Sequence, residues 1–174
     1  MSRKRVALVA AALMAVGVVV GGVLPSTAQE APPPIAAEFL SGRATFPDDI
    51  GMLVKRRIGG GSPTEVAKVD DPTHIVTGRY TIQPGAQFPW HTHAGPVIVT
   101  IVSGTLVYVE DDCSLHPYPA GTAFVDLGHG DVHSAFAPSD GGVTVILATF
   151  LEAPEAPAPL LIPADAPAGC VITP

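Results

Sequence analysis

Gly85-Ala86-Gln87-Phe88-Pro89-Trp90-His91-Thr92-His93-Ala94-Gly95-Pro96-Val97-Ile98-Val99-Thr100-Ile101-Val102-Ser103-Gly104 is the stretch that decides the fold of this 174-residue chain. It holds two strand-like runs, Gln87 to Thr92 and Val97 to Ser103, rich in β-branched and aromatic residues and bounded by Gly and Pro. On a strand, residues two apart point to one face, so His91 and His93 project together. Two imidazoles side by side on an inward face are costly to bury without a partner. A shared divalent ion removes that cost, because neutral imidazole nitrogens are good ligands for Fe, Zn, Mn, Cu or Ni. By the same alternation Gln87 shares the face of His91 and is the expected polar neighbour of the metal. Phe88 and Trp90 are expected to face the other way.

Working outward, His74 to Ile82, Thr105 to Glu110, Thr122 to Asp126 and Val143 to Leu151 read as further short strands. Pro84-Gly85, Ser103-Gly104, Pro119-Ala120-Gly121 and Asp140-Gly141-Gly142 separate most of them. Short strands at this spacing, with no long helical period, predict an all-β sandwich or barrel. A third ligand should arrive on a neighbouring strand, and Gly121 to His133 supplies it. His133 is one candidate there. His129, four residues earlier between two glycines, is the alternative, or else a neighbour of the metal or of a substrate. Asp131 shares the face of His133 if the strand has already begun; it then orients a ligand imidazole, as metal sites commonly require, or it is a solvated turn carboxylate. His74 and His116 have no such context.

The two segments resemble the paired motifs of the cupin superfamily. The first is a Gly, five residues, then His-x-His, closed by a Gly: Gly85, His91, His93 and Gly104. The second ends in Gly-x-x-His, here Gly130 and His133. The resemblance, over roughly Thr73 to Leu151, implies a single jelly-roll β-barrel with His91, His93 and His133 binding one divalent metal inside it. The sequence departs from the family pattern at three places. Val97 and Ile98 stand where a Glu ligand is usual, Ala137 stands where an Asn is usual, and the second motif is a residue longer and lacks its customary Pro. The expected centre therefore has three neutral histidines and no anionic ligand. Three-histidine iron centres occur in the thiol and β-diketone dioxygenases of the superfamily. With only neutral ligands the ion keeps its full positive charge, which favours small anionic substrates. The resemblance implies an oxygenase or, alternatively, a non-catalytic metal- or ligand-binding protein. It also offers a homodimer through the sheets.

The remaining chain sets the compartment and the excluded partners. Met1-Ser2-Arg3-Lys4-Arg5, an uncharged apolar run from Val6 to Leu24, and the small residues Ser26 and Ala28 describe a secretory signal over residues 1–28. An uncleaved membrane anchor is the other reading of that run. Loss of residues 1–28 removes Arg3, Lys4 and Arg5 and no acid, leaving 6 basic against 16 acidic residues, net −10. Such a surface disfavours nucleic acid and anionic membranes as partners. Lys55-Arg56-Arg57 is read as a solvated face or loop. Residues 29–40 read as a Pro-rich spacer, 41–152 as the barrel and 153–174 as a Pro-rich tail wrapping the outside. Cys113 and Cys170, in a chain bound for an oxidising compartment, are expected to bridge and tie that tail back, with two separate thiols as the alternative.

Overall fold

A computed structural model describes residue 31, residues 33–58 and residues 63–174. The basic start, the apolar run and the expected cleavage point lie outside these described residues. Among the described residues no helix is long and apolar enough to cross a membrane.

Among the described residues thirteen strands follow in chain order. They are β1 (Ile35–Phe39), β2 (Ala44–Thr45), β3 (Gly51–Arg56), β4 (Glu65–Asp70), β5 (His74–Ile82), β6 (Gln87–Thr92), β7 (Val97–Ser103), β8 (Thr105–Val109), β9 (Leu115–Pro119), β10 (Ala123–Asp126), β11 (His133–Phe136), β12 (Thr144–Ala153) and β13 (Ile162–Pro163). The architecture is all-β, a single jelly-roll barrel. One sheet runs β1-β5-β12-β7-β10 with β2 also on β5, the other runs β13-β6-β11-β8-β9, and β3 pairs with β4 in a two-stranded sheet. From β5 to β8 the chain changes sheet at every connection. Gly104 makes one of these corners, with φ +74° and no room for a Cβ beside Thr144. The Thr144 hydroxyl closes that corner by accepting from Thr105 N at 3.2 Å and donating to Thr105 O at 2.9 Å.

Period-two alternation fills the barrel. Val97, Val99 and Ile101 of β7 point inward with Tyr80 and Ile82 of β5 and Ile146 and Phe150 of β12. They meet Phe88, Leu106, Tyr108 and Ala135 from the other sheet. Each large side chain so buried contributes about 1.5–3 kcal/mol. Strand β8 is buried on both faces. Leu106 and Tyr108 face the barrel, while Val107 and Val109 pack outside it with Phe136, Trp90 and Ile172 of the C-terminal tail.

Three sequence expectations are corrected. Ile35–Phe39, inside the expected spacer, is a full strand antiparallel to β5. Arg56 is not solvated: only 7% exposed, it bonds Glu65 at 2.8 Å, Glu110 at 3.1 Å and Asp131 at 3.0 Å. Phe88 is turned inward, not outward. His133 and Ala135 of β11 pair with His91 and Phe88 of β6, two residues against three. The extra residue is a β-bulge, which resets the alternation so that Phe88 and His91 share the inner face. Trp90 does face outward.

Candidate metal centre

His91 sits on β6, His93 just beyond the end of that strand, and His133 at the start of β11, directly opposite His91. All three are at most 6% exposed. One ring nitrogen from each lies within 4.8 Å of the others. The rings nest with centroid separations of 4.3, 4.8 and 5.2 Å.

Each imidazole is held from behind by a backbone carbonyl. His91 Nδ1 stands 2.6 Å from Pro89 O, His93 Nδ1 2.7 Å from Leu160 O and His133 Nδ1 3.1 Å from Asp131 O. A carbonyl only accepts, so in each ring Nδ1 carries the hydrogen and Nε2 is left as a lone pair. Burial keeps the rings neutral. It lowers the pKa of His91 and His93 to about 4 and that of His133 to about 3, with the neighbouring histidines adding to the shift. Neutral imidazoles fixed in this tautomer, with the other nitrogen tied to a carbonyl, are the form in which histidine binds metals.

Asp126 changes the expected composition of the site. No anionic group was expected beside the histidines, yet Asp126 Oδ2 stands 3.1 Å from His93 Nε2 and 3.3 Å from His133 Nε2. Asp126 is 1% exposed, and burial pushes its pKa up to about 8. The sequence carries a signal for it, a carboxylate two residues after Phe124 on an apolar strand. The register that sets it against the histidines is not local information.

The other candidate neighbours lie elsewhere. Gln87 does not line the cavity, because the same bulge turns it aside; its amide donates to Ser134 Oγ at 3.1 Å. The His129 side chain is also outside, with Nε2 3.3 Å from a Glu152 carboxylate oxygen. What His129 offers the site is its backbone N–H, donated to His93 O at 3.0 Å. Asp131 orients His133 through its main-chain carbonyl, and its carboxylate pairs with Arg56. His116 pairs with Glu110 at 3.0 Å.

The centre opens on a small apolar cavity of about 50 Å³, lined by Phe88, Val97, Leu106, Phe124, Phe150 and their neighbours. Tyr108 stacks on His133 at 4.9 Å, and its hydroxyl lies 3.3 Å from Arg56 Nη1. Leu161, beside the carbonyl that holds His93, also reaches the cavity. The segment bearing both is fixed by β13, which pairs with Thr92 and His91, and by Cys113 and Cys170 as a disulfide pair with Cα atoms 5.5 Å apart.

Residues 78–150 match the family model described as the Cupin domain. No curated protein matches the chain significantly. Similar solved structures include a cupin 2 conserved barrel domain protein from Leptotrichia buccalis, 14% identical, covering 70% of this chain and 43% of that one with a TM-score of 0.46. KdgF from a Halomonas species is 18% identical, with coverages of 70% and 83% and a TM-score of 0.42. The polyketide cyclase RemF from Streptomyces resistomycificus is 17% identical over 43% of this chain, with a TM-score of 0.39. The match spans about half of RemF's length, 52%. With its motif histidines gathered inside a jelly-roll barrel and residues 78–150 matching the family model, this chain carries a cupin domain over those residues.

Proposed function

We propose that this chain is a metal-dependent cupin in which His91, His93 and His133 hold one divalent transition metal and the centre oxygenates a small anionic molecule. The observation that carries the reading is the convergence of three Nε2 lone pairs in a buried cavity, each ring locked by a backbone carbonyl. Lone pairs brought together without a hydrogen repel, and a cation resolves them. The site fits Fe, Zn, Mn, Cu or Ni, and a bound ion of this kind supplies Lewis acidity and, for a redox-active metal, one-electron chemistry with dioxygen.

Phe88, Val97, Leu106 and Phe150 give the cavity apolar walls. Tyr108, whose pKa burial drives upward, keeps its phenolic hydrogen at neutral pH. The Cys113–Cys170 pair supports a place outside the cytoplasm, where disulfides persist.

A second reading is a non-catalytic metal- and small-ligand-binding protein of the cell envelope. The apolar wall favours it, since beside the histidines only Asp126, Tyr80 and Tyr108 line the cavity with a transferable proton. Bound metal per chain, measured in the wild type and in a His91→Ala/His133→Ala variant, tests the centre. About one ion in the first and none in the second is expected. Oxygen consumption over thiols, diketones and phenols then separates the readings: turnover supports the enzyme, and binding without turnover supports the second. A wild-type barrel that refuses Fe(II), Zn(II), Mn(II) and Cu(II) overturns both.

A further inference from the structure

We infer that Asp126 is a fourth protein ligand of the metal proposed above, a carboxylate delivered from β10. The inference rests on that metal reading and deepens it.

Register places the group. Asp126 pairs with Val97 across the β10–β7 ladder, and directly opposed residues put their side chains on the same face. Both line the cavity. A carboxylate on β10 at this level therefore occupies the space that one at position 97 would reach.

Geometry then aims it. Oδ1 accepts a hydrogen bond from Gly128 N at 2.9 Å, which fixes the rotamer and leaves Oδ2 turned to the histidines. Gly128 holds φ +62°, and a Cβ there would collide with the Gly95 backbone, so the clasp requires glycine. Oδ2 is buried with no hydrogen-bond partner. The polar atoms beside it are Nε2 of His93 and His133, which are themselves lone-pair acceptors. Arg56 pairs with Glu65, Glu110 and Asp131, and its influence on Asp126 is outweighed by burial. A single proton on Oδ2 satisfies one of these neighbours, whereas a cation serves them all. Two donors each about 2.1 Å from one ion, at 90–110° to each other, stand roughly 3.0–3.4 Å apart. The observed 3.1 and 3.3 Å fall in that interval.

With Asp126 bound, a divalent centre carries one net positive charge in place of two. The attraction for anionic substrates is retained but weaker than three neutral ligands alone would give. With Asp126 among the donors, fewer positions on the ion would be left to a small anion than three histidines alone would leave. A hard oxygen among the donors also disfavours Cu(I).

The test compares full-length wild type with Asp126→Asn, using Zn(II) affinity by chelator competition, the visible spectrum of the Co(II) forms, and stability after chelation. Zn(II) binding tenfold or more weaker is expected, together with an altered Co(II) spectrum. Above about pH 8, chelated Asp126→Asn should be at least as stable as wild type, because a buried unpaired carboxylate has been removed. Equal affinity and an unchanged Co(II) spectrum in the variant overturn the inference and leave the three-histidine centre standing. Wild type that binds neither ion overturns the metal reading itself. Should Asp126→Asn fail to fold, the infrared difference spectrum of Zn(II) addition to wild type decides. A change in a buried carboxyl band supports ligation, and none overturns it.

Discussion

Arg56 sits between two exposed basic residues, Lys55 and Arg57, and only the alternation of β3 separates it from them. Its guanidinium joins three carboxylates that belong to β4, the end of β8 and the segment before β11. Removing one partner from a buried ionic network leaves the others uncompensated. Arg56→Ala should therefore cost about 3–5 kcal/mol in urea unfolding, whereas Lys55→Ala should stay within about 0.5 kcal/mol. The histidines make a prediction of a different kind. Their folded pKa values near 3 to 4 lie below the ordinary value of 6.5, so they favour folding above about pH 6.5. That contribution is lost as pH falls toward 4, where the unfolded chain takes up protons that the folded one refuses. Asp126 has the opposite sign. Its pKa near 8 exceeds the unfolded value, so its contribution is present in acid and fades as pH rises through 8. A chelated sample should thus melt highest near neutrality and lose Tm steadily from pH 6.5 to 4.5. A flat Tm over that interval would contradict the buried, neutral state of the rings.

At the scale of elements, the strands with clean alternation or β-branched runs were legible, and β5, β6 and β7 lie at the residues the sequence predicts. Strand β9 was not, because Pro117 and Pro119 break the pattern. It is an edge strand, where a missing N–H costs nothing. Strands β3 and β4 alternate well in hindsight, but they flank a glycine run and carry charge on their open face. Of the centre, the motif spacing points to His91, His93 and His133, whereas the bulge in β6 misled the reading of Gln87 and Phe88. Asp126 is set by pairing across a ladder, and pairing is invisible in a single sequence. The loop before β11 offers a contrast that tests these arguments. Gly128 and Gly130 both hold positive φ, but a Cβ at Gly128 meets backbone and one at Gly130 meets open space. Gly128→Ala should cost about 3 kcal/mol and lower bound metal. Gly130→Ala should cost about 1 kcal/mol and leave metal content unchanged. Thermal melts and metal analysis of the two variants check this.

For the whole molecule, the disulfide joins positions 57 residues apart, closing a loop that includes β9 through β13. Cys113→Ser/Cys170→Ser should lose about 2–4 kcal/mol. It should also bind metal less tightly, since the tail it frees carries Leu160. Saturation with the bound metal, at about a hundred times its Kd, should stabilise the folded chain by about 2.7 kcal/mol relative to a chelated sample. The hydrogen bond from His93 to Leu160 crosses 67 residues, and this has a bearing on the order of folding. A chain folded only as far as Phe150 holds all three histidines, but not the carbonyl that aims the second of them. The proposed metal site is therefore complete only after the tail has folded back across the barrel.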